Sequence, residues 1–256
     1  MTVRILTFSS LYPNPAMPPR GVFVENRLRH LVEDADIESR VVSPVPWFPL
    51  AGRLSSEHAA FEQVPGEDER HGISIRYPRY LHLPKVGMTL QPVLMAMAAL
   101  PVLKKIIRDG YDFDVIDAHY FYPDGVAAAW LARRLNKPLT ITARGTDINL
   151  IPQYALPRRM IQWAARRADA MITVCQALND SLVELGAEAG KVHTLRNGVD
   201  LQLFRPPVER EGLRTALELS GTVVVSVGYL IPRKGHDLVI RAMAALPPRA
   251  DTERVR

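Results

Sequence analysis

The sequence predicts an α/β protein built on a Rossmann-like, doubly wound parallel sheet, with the opening of a second, truncated Rossmann-like domain behind it. Three observations predict this. Val3 to Phe8 is a short, nearly continuous apolar run, the pattern of a buried parallel strand. From Val115 to Leu195, strand-length apolar runs alternate with helix-length stretches. Arg205-Pro206-Pro207 then breaks the alternation, and a strand restarts at Val223.

The elements follow in order. A Pro-rich loop, Ser9 to Arg20, leads into a helix starting near Gly21, with Val24, Leu28, Leu31 and Val32 on one face and Glu25, Arg27 and Arg29 facing away. Arg40 to Ser43 is a second strand. Pro44 to Arg70 is polar and irregular, a long surface loop with room for one short helix. Ile73, Ile75 and Tyr77 alternate with polar residues, a strand signal. Val115 to Ala118 is a strand, and Asp124 can cap a helix running to about Asn136. Leu139 to Ala143, Ala170 to Val174 and Val192 to Leu195 are further strands. Helices are expected around Pro157 to Arg167 and from Gln176 to Leu185, the latter stopped by Gly186. Val223 to Val227 is expected as a strand and Asp237 to Ala245 as a helix. The expected domains are 1–204 and an incomplete second domain with its linker, 205–256.

The 256 residues suffice for one full α/β domain and part of another. A single cysteine, Cys175, excludes a disulfide framework and suggests a reducing, cytoplasmic compartment. No zinc-type spacing occurs, so no metal site is assigned. The net charge of +5 suits anionic partners without choosing among them. The N-terminus does not read as a signal peptide. Val86 to Leu103 carries no charge and reaches the length of about 18 residues that makes a spanning candidate. Pro92 and Pro101 argue for a buried domain helix instead, with a surface-lying helix on basic flanks as the alternative. Arg158-Arg159 and Arg166-Arg167 read as a solvated or membrane-facing helix side. No stacking surface accompanies them, so nucleic acid is not expected as a partner.

Parallel sheets bind ligands beyond the carboxyl ends of their strands, beside helix N-termini. Arg20-Gly21 lies after the first strand, and can face an anion or be an ordinary turn. His119 follows the Val115 strand as a pocket wall or as a packed, hydrogen-bonded histidine. Arg144, Gly145 and Asp147 share a tight turn in which Asp147 can orient Arg144. Asn197-Gly198 precedes the linker as a hinge-side contact. Arg233 and Lys234 precede the last helix, where a diphosphate would meet its N-terminus. Asp112-Phe113-Asp114 matches a metal-binding pattern, but it precedes its strand, at the end away from ligands.

Six strings, RGVFVENRLRHL, HYFYPDGVAAAWLARRL, TARGTDIN, ITVCQAL, LRNGVDLQLFRP and VVVSVGYLIPRKGHDLVIRAM, occur in one order and at one spacing. Together they resemble family 4 of the retaining glycosyltransferases, from Val3 to about Leu246. The resemblance implies a metal-independent GT-B enzyme of two Rossmann-like domains. Its first domain takes a saccharide or lipid-linked acceptor and its second a nucleotide-sugar, with no separate cofactor. It implies that Gly21, with Arg20, faces the donor phosphates. Lys234, with Arg233 beside it, offsets the charge of the leaving diphosphate. His119, Arg144 and Asp147 fall on the acceptor side. Two positions depart from the family: Tyr229 stands where many members have Arg, and Arg144 where many have His. The family's Glu-x7-Glu pair lies beyond this chain, so a truncated product, inactive alone, is one expectation. Polysaccharide or glycoconjugate synthesis, with peripheral attachment to the inner membrane face, is implied by analogy. The alternatives are a non-catalytic binding fragment and a GT-B sugar-nucleotide epimerase.

Overall fold

The computed structural model describes residues 2–48, 60–82 and 88–246. The chain divides into two compact units, Met1–Gly198 and Val199–Arg256, a break six residues before the expected boundary at 204.

The first unit is organised by an eight-stranded sheet. Its strands are β1 (Val3–Phe8), β2 (Ile37–Val42), β4 (Glu67–Arg70), β5 (Ile73–Arg76), β7 (Val115–His119), β8 (Leu139–Ala143), β9 (Ala170–Thr173) and β10 (Val192–Thr194). They lie in the order β10-β9-β8-β7-β1-β2-β5-β4. All neighbours are parallel except β4 and β5. β3 (Val45–Trp47) and β6 (Arg79–Leu81) form a separate parallel pair. The helices are α1 (Val22–Asp34), α2 (Gln91–Arg108), α3 (Val126–Leu135), α4 (Thr146–Asn149), α5 (Ala155–Arg167) and α6 (Gln176–Glu184).

Side chains of a strand alternate between its two faces. Val41 accordingly enters one core with Val24 and Leu28 of α1, and with Ile73 and Ile75 of β5. Its neighbour Val42 enters the other, with Leu6, Phe8 and the inner faces of α2, α3, α5 and α6. Helices therefore cover both faces, as a doubly wound sheet requires. Burying a side chain such as Leu28 contributes roughly 2 kcal/mol. α2 runs through Pro101, which is exposed, and buries Met95, Ala96, Ala99, Leu103 and Ile106. Among the described residues, no helix is long and apolar enough to cross a membrane.

Several expectations need correction. Glu25 and Arg27 do not face solvent. Glu25 is buried, and accepts from Arg70 Nε at 2.5 Å. Arg27 Nη1 donates to Thr142 Oγ1 at 3.1 Å. β2 begins at Ile37, three residues early, because β1 offers partners along its whole length. The segment 44–70 is not all loop: β3 and β4 lie in it, while 49–59 fall outside the described residues. Asp124 is not a helix cap, since its carboxylate accepts from Ser10 N–H and Ser10 Oγ–H.

In the second unit, α7 (Arg210–Ala216) was not anticipated, and α8 (His236–Ala245) was. Val223–Val227 is not a strand. A strand takes its hydrogen bonds from a neighbour, and the described residues of this unit include no strand to pair with. None of its described residues is buried.

Gly21 sits at the N-cap of α1 with φ of 70°. A Cβ there would lie 2.2 Å from the Leu11 carbonyl oxygen. The crowding is backbone against backbone and cannot be relieved by a rotamer change. Gly21→Ala is expected to lower stability by about 3 kcal/mol or more, read as a fall in the urea midpoint. An unchanged midpoint would show that α1 can move away from the β1 loop.

Candidate functional site

β1 is flanked by β2 on one side and β7 on the other; the chain leaves β1 toward β2 and leaves β7 toward β8, in opposite directions across the sheet. In a sheet of this kind, the carboxyl ends of β1 and β7 are where a ligand crevice is expected. Ser9 and Ser10 leave β1 there, and His119 ends β7. Arg144 follows β8, and Asn197 follows β10.

The lowest layer of this site is a carboxylate inside a buried strand. Asp117 Oδ1 accepts from Thr140 Oγ1 at 2.8 Å, and Oδ2 pairs with His119 Nε2 at 3.0 Å. Burial alone would push the Asp117 carboxyl up. The adjacent His119 ring, through its charge when protonated and its hydrogen bond, together with the Arg27 charge, outweighs it and holds the group below its ordinary value.

His119 is 2% exposed, so it is the packed, hydrogen-bonded histidine and not a pocket wall. Its Nδ1 lies 2.6 Å from Arg144 Nη2. A guanidinium only donates, so Nδ1 accepts and the proton sits on Nε2, toward Asp117. Burial lowers the His119 pKa from its ordinary 6.5, against the pull of Asp117 and with help from Arg144 and Arg27. The ring is neutral at pH 7.

Arg144 is the uppermost member. Its Nη1 donates to Asn197 Oδ1 at 3.0 Å, and its guanidinium carbon lies 5.0 Å from the Phe23 ring centroid on α1. Its Nε is removed from solvent and has no hydrogen-bond partner. Burial, reinforced by Arg27, pushes its pKa down to about 10, so the charge survives at neutral pH.

Asp147 does not orient the Arg144 guanidinium, a further correction. Its carboxylate accepts from the backbone N–H groups of Phe121 at 2.6 Å, Arg144 at 3.0 Å and Gly145 at 2.7 Å. It is fully buried, and burial raises its pKa against those bonds. Asp147 and His119 are therefore both buried, with their polar atoms engaged by Phe121, Arg144, Gly145 and Asp117.

Arg20 is likewise engaged. Its Nε donates to the Ser10 carbonyl at 3.0 Å, and its guanidinium sits 5.4 Å from the Phe61 ring centroid. Gly21 is buried beneath the same loop. Gly198 is exposed and closes the first unit. Asp114 accepts from Arg4 N–H at 2.8 Å and Asp112 pairs with Lys137 at 2.7 Å, so both serve the fold.

Arg233 and Lys234 form a separate basic feature within the second unit. Both are exposed in a 3-10 turn ahead of α8, which Gly235 opens with φ of 67°. The bare backbone of Gly228 lets the Lys234 stem pass close, 3.4 Å from where a Cβ would stand. Ser226 Oγ meets His236 Nδ1 at 2.8 Å beside it.

Asp117, Arg27, Phe23 and Ser10 are site residues that the sequence reading missed. Asp117 had a usable signal, a charge in the middle of a buried parallel strand, where only a paired carboxylate is tolerated.

Residues 21–203 match the sequence model of Glycosyltransferase Family 4. The teichuronic acid biosynthesis protein TuaC of Bacillus subtilis (strain 168) is 29% identical over 239 residues, covering 91% of this chain and 60% of its own length. The D-inositol 3-phosphate glycosyltransferase of Mycobacterium leprae (strain Br4923) is 35% identical over 152 residues, covering 54% of this chain and 34% of its own length. The chain thus spans less than two thirds of these relatives. Among solved structures, Anabaena Alr3699/HepE in complex with UDP superposes with a TM-score of 0.62 at 21% identity, over 97% of this chain and 58% of that one. Sucrose-phosphate synthase from Thermosynechococcus elongatus gives 0.66 at 16% identity, over 96% and 60%. At these identities the likeness establishes the fold, that of GT-B proteins.

The network makes stability pH-dependent with a definite sign. Unfolded His119 takes up a proton as pH falls through 6.5, and the folded ring resists it. The stability contributed by neutral His119 is complete above that pH and is lost as pH falls below it. His119→Gln is expected to flatten the profile of urea midpoint against pH just below 6.5. Asp117→Ala strands two buried donors and is expected to cost about 3 kcal/mol at pH 7. A parent-like pH profile for His119→Gln would contradict the buried neutral ring.

Proposed function

Because this chain belongs to glycosyltransferase family 4, we propose that it supplies the acceptor side of a transferase that moves a sugar from a nucleotide-sugar to a saccharide or lipid-linked acceptor. The observation that carries this reading is Arg144, a half-buried cation held at the strand ends by His119 and Asn197, with one donor unpartnered. A fixed, partly desolvated guanidinium suits an anionic or hydroxyl-rich acceptor.

In the transfer, the bond from the anomeric carbon to the diphosphate oxygen breaks and the electron pair leaves with the diphosphate. The acceptor oxygen forms the new glycosidic bond, on the face that retains configuration, and gives up its proton. Arg233 and Lys234 are assigned to the negative charge of the leaving diphosphate. Gly21 is assigned to the close approach of the β1–α1 loop to that group. Teichuronic acid biosynthesis, for which one relative is named, makes polysaccharide or glycoconjugate synthesis the context to test. The cytoplasmic face of the membrane is the expected location.

A second reading is favoured by one observation. The second unit has no buried residue and no strand among its described residues. On that reading the chain binds acceptor without turning it over.

Calorimetry on the purified chain separates the two readings. Transfer predicts binding of a nucleotide-sugar, with UDP conjugates tested first, weakened about tenfold by Lys234→Ala through loss of one charge-assisted bond. No nucleotide binding by a folded chain would leave the acceptor-binding reading alone. Arg144→Ala is expected to weaken acceptor binding about tenfold on either reading. Unchanged acceptor affinity would remove Arg144 from the site.

A further inference from the structure

The helical layer formed by α2, α3 and α5 has an unusual charge pattern. These helices carry Lys104, Lys105, Arg108, Arg133, Arg134, Arg158, Arg159, Arg166 and Arg167, and no carboxylate at all. Nine cations exceed the net charge of the whole chain, +5, so the remainder of the protein is net acidic. The cations are not internally neutralised. Lys105 pairs with Asp109, but among the described residues Arg133, Arg134, Arg159 and Arg166 have no ion-pair partner.

Helix-end electrostatics explains part of this pattern. Arginines in the last turns of α3 and α5 are favoured by the negative end of the helix dipole. Arg158 and Arg159 lie near the start of α5, where the dipole disfavours them. The complete absence of acidic residues on three packed helices is also left unexplained by capping.

Two hollows follow one another between α3 and α5. The first, about 270 Å³, is walled by Val93 of α2, Trp130 of α3, and Met160 and Trp163 of α5, with Arg159 at its side. The second, about 490 Å³, lies toward the carboxyl ends of the same helices and is lined by Arg133, Lys137, Arg166 and Arg167. Its lone carboxylate, Asp169, accepts from Leu139 N–H. Arg167 is held against the Trp163 ring at 4.8 Å, which joins the two hollows. Apolar side chains stand out around the first hollow. Met97, one turn beyond Val93, is 60% exposed, Trp130 is 41% exposed, and Leu90 and Leu156 are exposed as well.

We propose that this face docks on an anionic lipid bilayer. Trp130 and the exposed α2 side chains would enter the boundary between headgroups and acyl chains, and the arginine hollow would hold lipid phosphates. Tryptophan beside arginine over an apolar floor matches the chemistry of the bilayer interface. A nucleic-acid groove would place its aromatics in a polar, basic channel, whereas Trp130 and Trp163 face Val93 and Met160. The proposal does not rest on the sugar-transfer reading, because vesicle binding needs neither donor nor acceptor.

Sedimentation of the full 256-residue chain with lipid vesicles tests it. Vesicles of phosphatidylcholine containing phosphatidylglycerol are expected to carry the protein down at low salt and to release it at high salt. Phosphatidylcholine alone is expected to leave it in solution. Arg133→Ser with Arg166→Ser should weaken binding about fivefold per arginine, with an unchanged circular dichroism spectrum. Brominated acyl chains should quench tryptophan emission, and Trp130→Phe should remove part of that quenching. Absence of binding to anionic vesicles, or binding indifferent to the arginine pair, would overturn the proposal. So would a DNA duplex that displaces the vesicles through the same arginines.

Discussion

β1 must satisfy its backbone on both edges, since neither meets water, and the rest of the first unit is arranged around that demand. Its six residues pair with β2 along their full length and with β7 over the last four. Where β7 has not yet begun, other groups complete the edge: Arg4 N–H donates to Asp114, and Asp114 N–H donates to the Arg4 carbonyl. Tyr111 caps the same region, its hydroxyl lying 3.0 Å from the Ile5 carbonyl and 2.9 Å from that of Glu38. With both neighbours fixed, the connection leaving β1 toward β2 and the one leaving β7 toward β8 diverge, and the strand ends between them are where a ligand crevice is expected.

The chemistry at the crevice is a graded stack of charge. Asp117 is deepest and ionised, His119 above it is neutral, and Arg144 at the top is cationic. Each layer fixes the next. The carboxylate accepts a hydrogen bond from His119 Nε2–H, which leaves Nδ1 as an acceptor for the guanidinium. A buried charge pair gives little net stability, but removing one member leaves the other stranded. Such a stack therefore holds Arg144 in one orientation more than it strengthens the fold. Asp124 adds a quieter element: buried, with its carboxyl pushed up to about 7, it ties the β1 loop to the β7 loop through Ser10.

Much of this was legible in the sequence, and the failures share a cause. Strand–helix alternation places β7 through α6 within a few residues, and the strand-end rule points to His119, Arg144 and Asn197. What local pattern could not show was a partner distant in the chain. Glu25 looked solvent-facing on the helical wheel of α1, yet Arg70 and His71 fold over it from forty-five residues away. Arg27 was misread because Thr142 lies 115 residues on. Asp147 and Asp124 have the composition of a ligand site and a helix cap, but their carboxylates serve backbone N–H groups whose positions only the fold defines. The apolar run at Val223 shows the converse, since strand propensity without a neighbouring strand does not make a strand.

The sheet ends at β4, Glu67-Asp68-Glu69-Arg70, which carries three acids in four residues. The opposite margin, β10, is only three residues long, and its Thr194 hydroxyl bonds with those of Thr173 and the amide of Asn179. An open sheet margin invites another chain to add itself as the next strand. A second molecule arriving at β4 would set its own acids against these, and one arriving at β10 would find too short a ladder to hold. The margins of this fold therefore discourage the edge-to-edge strand addition by which fibres grow.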